Sequence, residues 1–257
     1  MLSAGLITGA SSGIGLELAR IHASKGNNVV LVARRKELLE QIQKELIAQY
    51  AVQVVIFTID LTQPDAPELV YAFTKSQGLF IDYLFNNAGF GGSDQFSSRP
   101  IAKDKEMIQL NITALIALTH IYLPDMIEQN RGKILNTSST AGFLPGPYHA
   151  TYFASKAFVN SFSQAISYEL RNTKISVTAL CPGPVKTEFA KVAGLEGNEM
   201  FENGASSYST ALKGYNGMMR GKRMVISSFW LNIATQLIMP FTPTIILLKT
   251  ITKGHSV

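Results

Sequence analysis

The chain of 257 residues has a formal net charge of +5, and hydrophobic residues make up 46% of it while charged residues make up 16%. This composition excludes a disordered chain, and the length suits one large globular domain with a buried core. The single cysteine, Cys181, excludes an internal disulfide and fits a reducing compartment. Four scattered histidines lack ligand spacing, so we expect no metal site.

Short apolar runs alternate with helical patterns along most of the chain. Several runs are rich in β-branched residues, which is typical of strands in a parallel sheet covered by helices on both faces. The predicted strands cover residues 2–8, 28–33, 52–59, 81–85, 133–136 and 174–181. The predicted helices cover residues 13–25, 35–49, 64–77, 103–129 with an interruption near Pro124, and 151–171. The sequence therefore predicts an α/β fold with a doubly wound, Rossmann-like parallel sheet.

The glycines between the first strand and the first helix belong to the sequence TGASSGIG at residues 8–15. Glycine adopts positive φ and has no Cβ, so the backbone of this turn can approach a ligand while the following helix directs its free N–H groups at an anion. The spacing of the glycines departs from the common dinucleotide fingerprint. We predict a phosphate-binding turn with contacts from Gly9, Ser11, Ser12, Gly13, Ile14 and Gly15.

Two arginines, Arg34 and Arg35, follow the second strand, and no carboxylate stands beside them in the sequence. An acidic residue at this place would bind a free ribose 2′-hydroxyl, whereas arginine accommodates a 2′-phosphate. The alternative is a solvated helix start, which is disfavoured because cations are unfavourable at a helix N-terminus. The pair therefore predicts NADP(H) rather than NAD(H) as the cofactor.

Further distinctive residues stand where other strands end, which is where parallel sheets bind ligands. They are Asp60-Leu61, Asn86 to Gly89, Ser138-Ser139 and the segment from Pro182 to Thr187. Tyr152 and Lys156 lie four residues apart on a predicted helix, so their side chains share one face. A tyrosine with an ordinary pKa of about 10 needs a neighbouring cation to act as an acid or base at neutral pH, and Lys156 supplies that cation.

In this order and spacing, the motifs of residues 2–189 resemble the short-chain dehydrogenase/reductase family, and the C-terminal pattern is similar to a bacterial branch of it. The resemblance implies four catalytic residues, which are Asn111, Ser139, Tyr152 and Lys156. It also implies cofactor contacts from Asp60, Leu61, Asn87, Ala88, Gly89, Tyr152, Lys156, Pro182, Gly183, Val185 and Thr187.

For carbonyl reduction, we expect Ser139 to hydrogen-bond the substrate oxygen and Tyr152 to donate its proton to that oxygen. Lys156 would lower the pKa of Tyr152 and bind the nicotinamide ribose, and the resemblance implies that Asn111 holds a water that connects Lys156 to solvent. The predicted function is NADPH-dependent reduction of an apolar or acyl-chain ketone or aldehyde. The alternative is a non-catalytic dinucleotide-binding sensor or scaffold, which the same fold can host.

Several neighbouring side chains have competing interpretations. The resemblance favours Ser139 over Ser138 as the catalytic serine, because the spacing to Tyr152 matches the family through Ser139. His149 could contact substrate, but a histidine in a proline-flanked loop is expected to be solvated. Asn111 could be a core asparagine, which would need buried partners. Cys181 ends an apolar strand and is expected to be a small buried hydrophobe.

We divide the domain into a dinucleotide-binding and catalytic core, residues 1–190, and a C-terminal extension, residues 191–257, that covers the substrate. Within the extension, residues 206–219 predict a helix over the site with Met218 and Met219 in an apolar lid, and residues 223–227 predict a final edge strand. An apolar helical stripe follows, is broken by prolines and resumes over residues 244–252. It comprises Trp230, Ile233, Leu237, Ile238 and Phe241.

This stripe has three interpretations. The leading one is packing in the core or against another subunit. The second is peripheral membrane attachment, because no acidic residue follows Glu202 while six cations do, namely Lys213, Arg220, Lys222, Arg223, Lys249 and Lys253. The third is a cover for a long apolar substrate. We expect a cytoplasmic homo-oligomer, a dimer or tetramer, with a small-molecule substrate, no nucleic-acid partner, and neither a signal peptide nor a membrane-spanning helix.

Overall fold

The computed structural model describes residues 2–252, and parallel strands form its central sheet. In chain order the strands are β1 (Leu2–Thr8), β2 (Asn28–Ala33), β3 (Val54–Thr58), β4 (Leu79–Asn86), β5 (Gly132–Thr137), β6 (Ile175–Cys181), β7 (Val185–Lys186), β8 (Ala205–Ser206) and β9 (Met224–Ile226). The central sheet has the order β3-β2-β1-β4-β5-β6-β9, and β7 pairs with β8 separately. Every neighbouring pair is parallel. The predicted doubly wound sheet and its edge strand β9 are therefore confirmed.

Helices cover both faces of this sheet. They are α1 (Gly13–Ser24), α2 (Lys36–Tyr50), α3 (Ala66–Ser76), α4 (Ile101–Ile108), α5 (Leu115–Glu128), α6 (Ala150–Glu169), α7 (Phe189–Val192), α8 (Glu199–Glu202), α9 (Ser207–Met219), α10 (Phe229–Ile233) and α11 (Thr244–Thr252). One buried cluster joins Ile7 of β1 to α1, α2 and α9, and a second joins Leu6 to α3 and α5. Because the neighbouring residues Leu6 and Ile7 of β1 belong to different clusters, the strand is apolar on both faces.

The long helical segment before β5 runs through Pro124, where the sequence predicted an interruption. α4, a π-helical turn over Gln109–Ala114, and α5 follow one another without a break. Proline removes one helical hydrogen bond, but Tyr122 and Met126 on either side are buried in the core. The prediction is wrong because this packing outweighs the local cost of Pro124.

The same segment, Ile101–Glu128, is the one helix in the described part of the chain that is long and apolar enough to cross a membrane. Its apolar residues have another explanation, because Leu115, Leu118, Tyr122 and Met126 are buried. Leu118, Tyr122 and Met126 lie in the cluster that packs against the sheet. Packing against the sheet therefore accounts for the apolar character of this segment.

The helix α9 lies in the core, so the predicted lid over residues 206–219 is wrong. Met218 is fully buried in the cluster with α1, and neither Met218 nor Met219 lines the large cleft at the carboxyl ends of the strands. Two glycines allow the close packing, because a Cβ at Gly214 would lie 2.7 Å from Leu180 and a Cβ at Gly217 would contact Val225. The apolar spacing was correct, but it did not distinguish a core face from a lid.

The apolar stripe after β9 is largely exposed. Trp230, Leu237, Ile238 and Phe241 are all more than half exposed, and Ile233 is half-buried. Packing in the core of this chain, which was part of the leading interpretation, therefore does not explain the stripe. Of the six cations assigned to the tail, Lys253 lies outside the described residues.

Candidate active site

A cleft of about 920 Å³ lies beyond the carboxyl ends of the central strands. It is lined by the glycine turn after β1, the arginine pair after β2, and the segments that follow β4, β5 and β6. Ser139, Tyr152 and Lys156 lie in its wall. Of the predicted site residues, only Gly15 and Asn111 do not line it. The fold thus brings residues from most of the chain to one cavity.

The glycine turn is packed tightly against the loop that follows β4. Gly9 and Gly13 have φ angles of 65° and 56°, and a Cβ at Gly9 would lie 3.0 Å from Asn87 Nδ2. Thr8 Oγ1 accepts hydrogen bonds from the backbone N–H groups of Asn87 and Ala88 at 2.9 and 3.0 Å. A Cβ at Gly15 would contact the carbonyl oxygen of Gly9. The turn therefore needs glycine both for its backbone angles and for its packing.

The two arginines lie at the edge of the cleft, and each has a carboxylate nearby. Arg34 Nη1 is 3.7 Å from Asp60 Oδ2, and Arg35 Nη1 is 2.9 Å from Glu188 Oε2. Arg35 also donates hydrogen bonds from Nη2 and Nε to Ser11 Oγ, at 3.0 and 3.2 Å. The arginines have no carboxylate beside them in the sequence, but the fold places two beside them. Asp60 and Glu188, from distant segments, supply these carboxylates.

Ser139 and Tyr152 lie beside each other on the wall between β5 and α6, where the Ser139 hydroxyl favours the charged form of Tyr152. Ser139 caps the 3₁₀ turn Thr140–Phe143, and its Oγ accepts a hydrogen bond from Ala141 N at 3.1 Å. Desolvation raises the pKa of Tyr152 to about 12, and the Ser139 hydroxyl offsets only part of this effect. The pKa shift has the opposite direction to the lowering expected from Lys156, so Tyr152 stays protonated at neutral pH.

Lys156 is buried one helical turn after Tyr152, as their spacing predicted. Its Nζ donates a hydrogen bond to the carbonyl oxygen of Thr137 at 2.8 Å and lies 5.8 Å from the centroid of the Tyr152 ring. Burial lowers the pKa of Lys156 to about 8. The side chain is therefore mostly cationic at neutral pH, and its charge lies beside the tyrosine ring.

Asn111 lies in the π-helical turn. Its side chain is buried, and both the nitrogen and the oxygen of its amide form hydrogen bonds. Its Nδ2 donates to Phe90 O at 3.0 Å and to Ser155 Oγ at 3.1 Å, and its Oδ1 accepts from Phe90 N at 3.1 Å. A Cβ at Gly89 would lie 2.9 Å from this Oδ1 and 3.4 Å from Lys156 Nζ. The amide thus anchors the loop after β4 close to Lys156, with the buried partners that a core asparagine needs.

The structure separates the two candidate serines. Ser138 is buried, and its Oγ donates a hydrogen bond to the carbonyl oxygen of Lys156 at 2.9 Å, so it serves the packing of α6. Cys181 is fully buried, as expected for a small apolar side chain, and its Sγ donates to Asn160 Oδ1 at 3.1 Å. Both residues have internal partners, which leaves Ser139 as the serine beside Tyr152.

His149 is buried, so the expectation of a solvated histidine is wrong. Its Nδ1 lies 2.9 Å from the carbonyl oxygen of Gly92, and its ring stacks on Phe153 with centroids 5.7 Å apart. The loop after β4 folds back over this position, since the backbone N–H of Asp94 donates to Tyr148 O at 2.9 Å. The sequence contains no local signal of this contact between distant loops.

The apolar wall of the cleft was missed by the sequence analysis. The ring of Phe189 lies 5.4 Å from that of Tyr152 and 6.0 Å from that of Phe201, measured between centroids. Further apolar lining comes from Leu144, Phe153, Val192, Leu195, Met200, Leu231, Met239 and Ile251. The apolar residues from Phe189 onward were the available signal, because they lie close in the sequence to Thr187, a predicted cofactor contact.

Comparison with known proteins points to one family. The family model described as short chain dehydrogenase matches residues 4–198. The chain is 36% identical over 195 residues to a very-long-chain 3-oxoacyl-CoA reductase of Anas platyrhynchos, which covers 73% of this chain and 61% of that protein. The chain therefore spans less than two thirds of that relative. It is 38% identical over 188 residues to a sulfoacetaldehyde reductase of Chromohalobacter salexigens, with 72% and 74% covered.

Among solved structures, a short-chain dehydrogenase from Sphingobium yanoikuyae in complex with NADPH has the same fold. The two structures superpose with a TM-score of 0.82 at 31% sequence identity, and the match covers 95% of this chain and 97% of that one. The agreement extends beyond the residues of the family match, into the segment after residue 198.

Proposed function

The chain belongs to the short-chain dehydrogenase/reductase family, and on that premise we propose that it reduces the carbonyl group of an apolar ketone or aldehyde with NADPH. The observation that carries the proposal is the juxtaposition of Ser139, Tyr152 and Lys156 in a cleft with an apolar wall. The proposed reaction adds a hydride to the carbonyl carbon and a proton to its oxygen, which yields an alcohol.

The residues around the glycine turn fit a dinucleotide cofactor. Positive φ at Gly9 and Gly13 leaves a cradle without Cβ atoms at the start of α1, whose N-terminal N–H groups suit a pyrophosphate. We assign the adenosine end to the arginine pair and Asp60, and the nicotinamide end to Tyr152, Lys156 and the segment from Pro182 to Thr187. When bound, NADPH supplies the hydride, and the protein supplies position and electrostatics.

Tyr152 is the proposed proton donor. Its raised pKa of about 12 keeps it in the protonated form that a reduction needs. As negative charge develops on the substrate oxygen, the Ser139 hydroxyl stabilises it by a hydrogen bond and Tyr152 transfers its proton to it. Lys156 then stabilises the phenolate that remains, because an ammonium group beside a phenolate favours the charged form. We therefore expect Lys156 to lower the pKa of Tyr152 at the stage when the phenolate forms, and not in the resting protein.

The preference for NADPH rests on the two arginines at the cleft edge. A 2′-phosphate has the charge and the oxygen geometry to compete with Asp60 and Glu188 for these guanidinium groups. NADH offers only a 2′-hydroxyl there, so it would leave both ion pairs undisturbed. The preference therefore depends on whether the phosphate outcompetes the two exposed carboxylates.

The apolar substrate class rests on the wall formed by Phe189, Phe201 and their neighbours. This wall begins next to Tyr152, so the group attached to the carbonyl carbon would lie against aromatic and aliphatic side chains. A 3-oxoacyl-CoA reductase among the relatives is compatible with an acyl chain at this place, whereas a sulfoacetaldehyde reductase acts on a small charged aldehyde. We favour the apolar class because the lining of this cleft is predominantly apolar.

The test is NADPH oxidation with a series of ketones and aldehydes of increasing chain length, for the wild type and Tyr152→Phe. We expect turnover to rise with apolar chain length and to fall at least about a hundredfold in the variant, with NADPH affinity unchanged. Full turnover in Tyr152→Phe would contradict the mechanism. Tight NADPH binding without turnover on any carbonyl would instead favour the non-catalytic sensor or scaffold.

A further inference from the structure

The C-terminal segment exposes a row of large apolar side chains. α10, a π-helical turn over Ala234–Ile238 and a 3₁₀ turn over Met239–Phe241 form one apolar helix, Phe229–Phe241, which α11 follows. The aromatic residues of the helix Phe229–Phe241 are its most exposed: the exposed fraction is 70% for Phe229, 76% for Trp230 and 85% for Phe241. We call seven exposed residues the C-terminal apolar surface: Phe229, Trp230, Leu237, Ile238, Phe241, Ile245 and Ile246.

The opposite side of the same segment lines the cleft. Leu231, Met239 and Ile251 belong to the cleft wall, and a Cβ at Gly183 would contact Leu231. Gly183 lies in the segment assigned to the nicotinamide end of the cofactor. The helix that carries the C-terminal apolar surface is therefore also part of the boundary of the candidate active site.

The charged side chains of residues 203–252, which include the C-terminal apolar surface, are all cations. No acidic residue follows Glu202 in the sequence. Lys249 is exposed on α11, and Lys213 Nζ donates to the carbonyl oxygen of Ser227 at 2.7 Å, which holds a second cation next to the start of α10. Arg220, Lys222 and Arg223 precede β9, at the other end of that strand, and we do not assign them to this surface.

We propose that the C-terminal apolar surface docks on an anionic lipid bilayer. Apolar side chains can enter the boundary of the acyl chains, tryptophan is favoured at the interface, and lysines attract anionic headgroups. A second copy that docked through the same surface would bring Lys213 and Lys249 of both copies together, whereas anionic lipids neutralise these cations. Docking would place the boundary of the cleft on the bilayer, so that an apolar substrate enters from the lipid. Only this last consequence rests on the proposed function.

Trp230 provides a direct reporter, because it is the only tryptophan of the chain. We expect its emission to shift to shorter wavelength when phosphatidylcholine vesicles containing phosphatidylglycerol are added, and to be quenched by lipids brominated in the acyl chain. Vesicles of phosphatidylcholine alone should produce a weaker shift, since the cations then lack anionic headgroups. The measurement uses the full chain and needs no substrate.

Variants measured by vesicle flotation test the residues themselves. Phe229→Ser and Phe241→Ser should each lower the partition coefficient about tenfold, because each removes a large apolar side chain from the contact. Lys249→Glu should remove the preference for phosphatidylglycerol. Ile47→Ser is the matched control: Ile47 is also an exposed apolar residue, but α2 packs on β3 at the opposite edge of the sheet.

Two outcomes would overturn the proposal. One is an unchanged Trp230 emission with both vesicle types while NADPH binding shows that the protein is folded. The other is an emission shift that depends on protein concentration without lipid, which would assign the surface to a second copy. Because vesicle binding is read without a carbonyl substrate, a protein that binds vesicles but reduces nothing would contradict only the proposed function.

Discussion

Arg35 and Glu188 form an ion pair of 2.9 Å at the edge of the cleft, although they belong to distant segments of the chain. Arg35 also holds Ser11 of the glycine turn, and Glu188 directly follows Thr187. The pair therefore connects the two ends of the proposed cofactor site. A 2′-phosphate that binds Arg35 must displace the Glu188 carboxylate, so this contact opposes the cofactor that we propose.

We accordingly expect Glu188→Gln to increase the affinity for NADPH. Removing the competing carboxylate from this exposed pair should lower the Kd about two- to fivefold, the range typical of surface ion pairs. The Kd for NADH should change less, since NADH has no 2′-phosphate. Titration of both cofactors by nucleotide fluorescence measures the two values.

The control for this variant is Glu40→Gln, which makes the same charge change in the exposed pair of Lys36 and Glu40 on α2. Glu40 does not line the cleft, so its replacement should leave both cofactor affinities unchanged. Equal gains in the two variants would assign the effect to net charge. A loss of NADPH affinity in Glu188→Gln would contradict competition for Arg35.

The pH dependence of reduction should follow Lys156. Its pKa of about 8 makes it cationic below that pH and neutral above it, whereas Tyr152 with a pKa of about 12 stays protonated throughout. Since the cation stabilises the phenolate left by proton transfer, we expect kcat to be level near neutrality and to fall about tenfold per pH unit above about 8. NADPH affinity over the same range separates this effect from cofactor release. A kcat that rises through this interval would contradict the assignment.

Lys156→Met should stabilise the protein and abolish reduction. Burial lowers the pKa of Lys156 from 10.5 to about 8, so below about 8 both the folded and the unfolded states bind the proton and the buried charge costs about 3 kcal/mol. Losing the hydrogen bond to Thr137 would offset about 1 kcal/mol of the gain. The net gain of about 2 kcal/mol corresponds to a Tm increase of about 4–8 °C near neutral pH.

The pH dependence of this gain provides its control. Between about 8 and 10.5 the unfolded wild type binds the proton and the folded wild type does not, so wild-type stability from this group rises with pH. The advantage of Lys156→Met should therefore shrink towards high pH. A gain in Tm that is independent of pH would assign the stabilisation to apolar packing alone.

Local features of the sequence predicted much of this molecule. Tyr152 and Lys156 share a helix face because the backbone repeat fixes their separation, and the glycine turn was recognisable because few other residues tolerate its backbone angles. The strand order follows from alternating strands and helices, whose crossovers have one preferred hand. Each of these inferences depends on residues close together in the chain or on a rule that holds for all such folds.

The predictions that failed involve contacts between segments that are distant in the sequence. Glu188 could not be assigned to Arg35, and His149 could not be placed under the loop after β4, because neither contact leaves a local pattern. The apolar face of α9 was misassigned for a related reason. An apolar spacing predicts that a helix face is buried, but it does not indicate whether that face packs on the core or on a substrate. Met218 packs against the core instead of a substrate.

Asn111→Leu distinguishes the two roles considered for Asn111. The change leaves the backbone N–H and carbonyl of Phe90 without their side-chain partners, so we expect the free energy of unfolding to fall by about 1–3 kcal/mol. Amide hydrogen exchange in residues 88–92 should accelerate, because the anchor of this loop is gone. Asn216→Leu, at an exposed position of α9, should change stability by less than about 0.5 kcal/mol. Full stability with a reduced kcat would instead favour the water-mediated proton connection implied by the family resemblance.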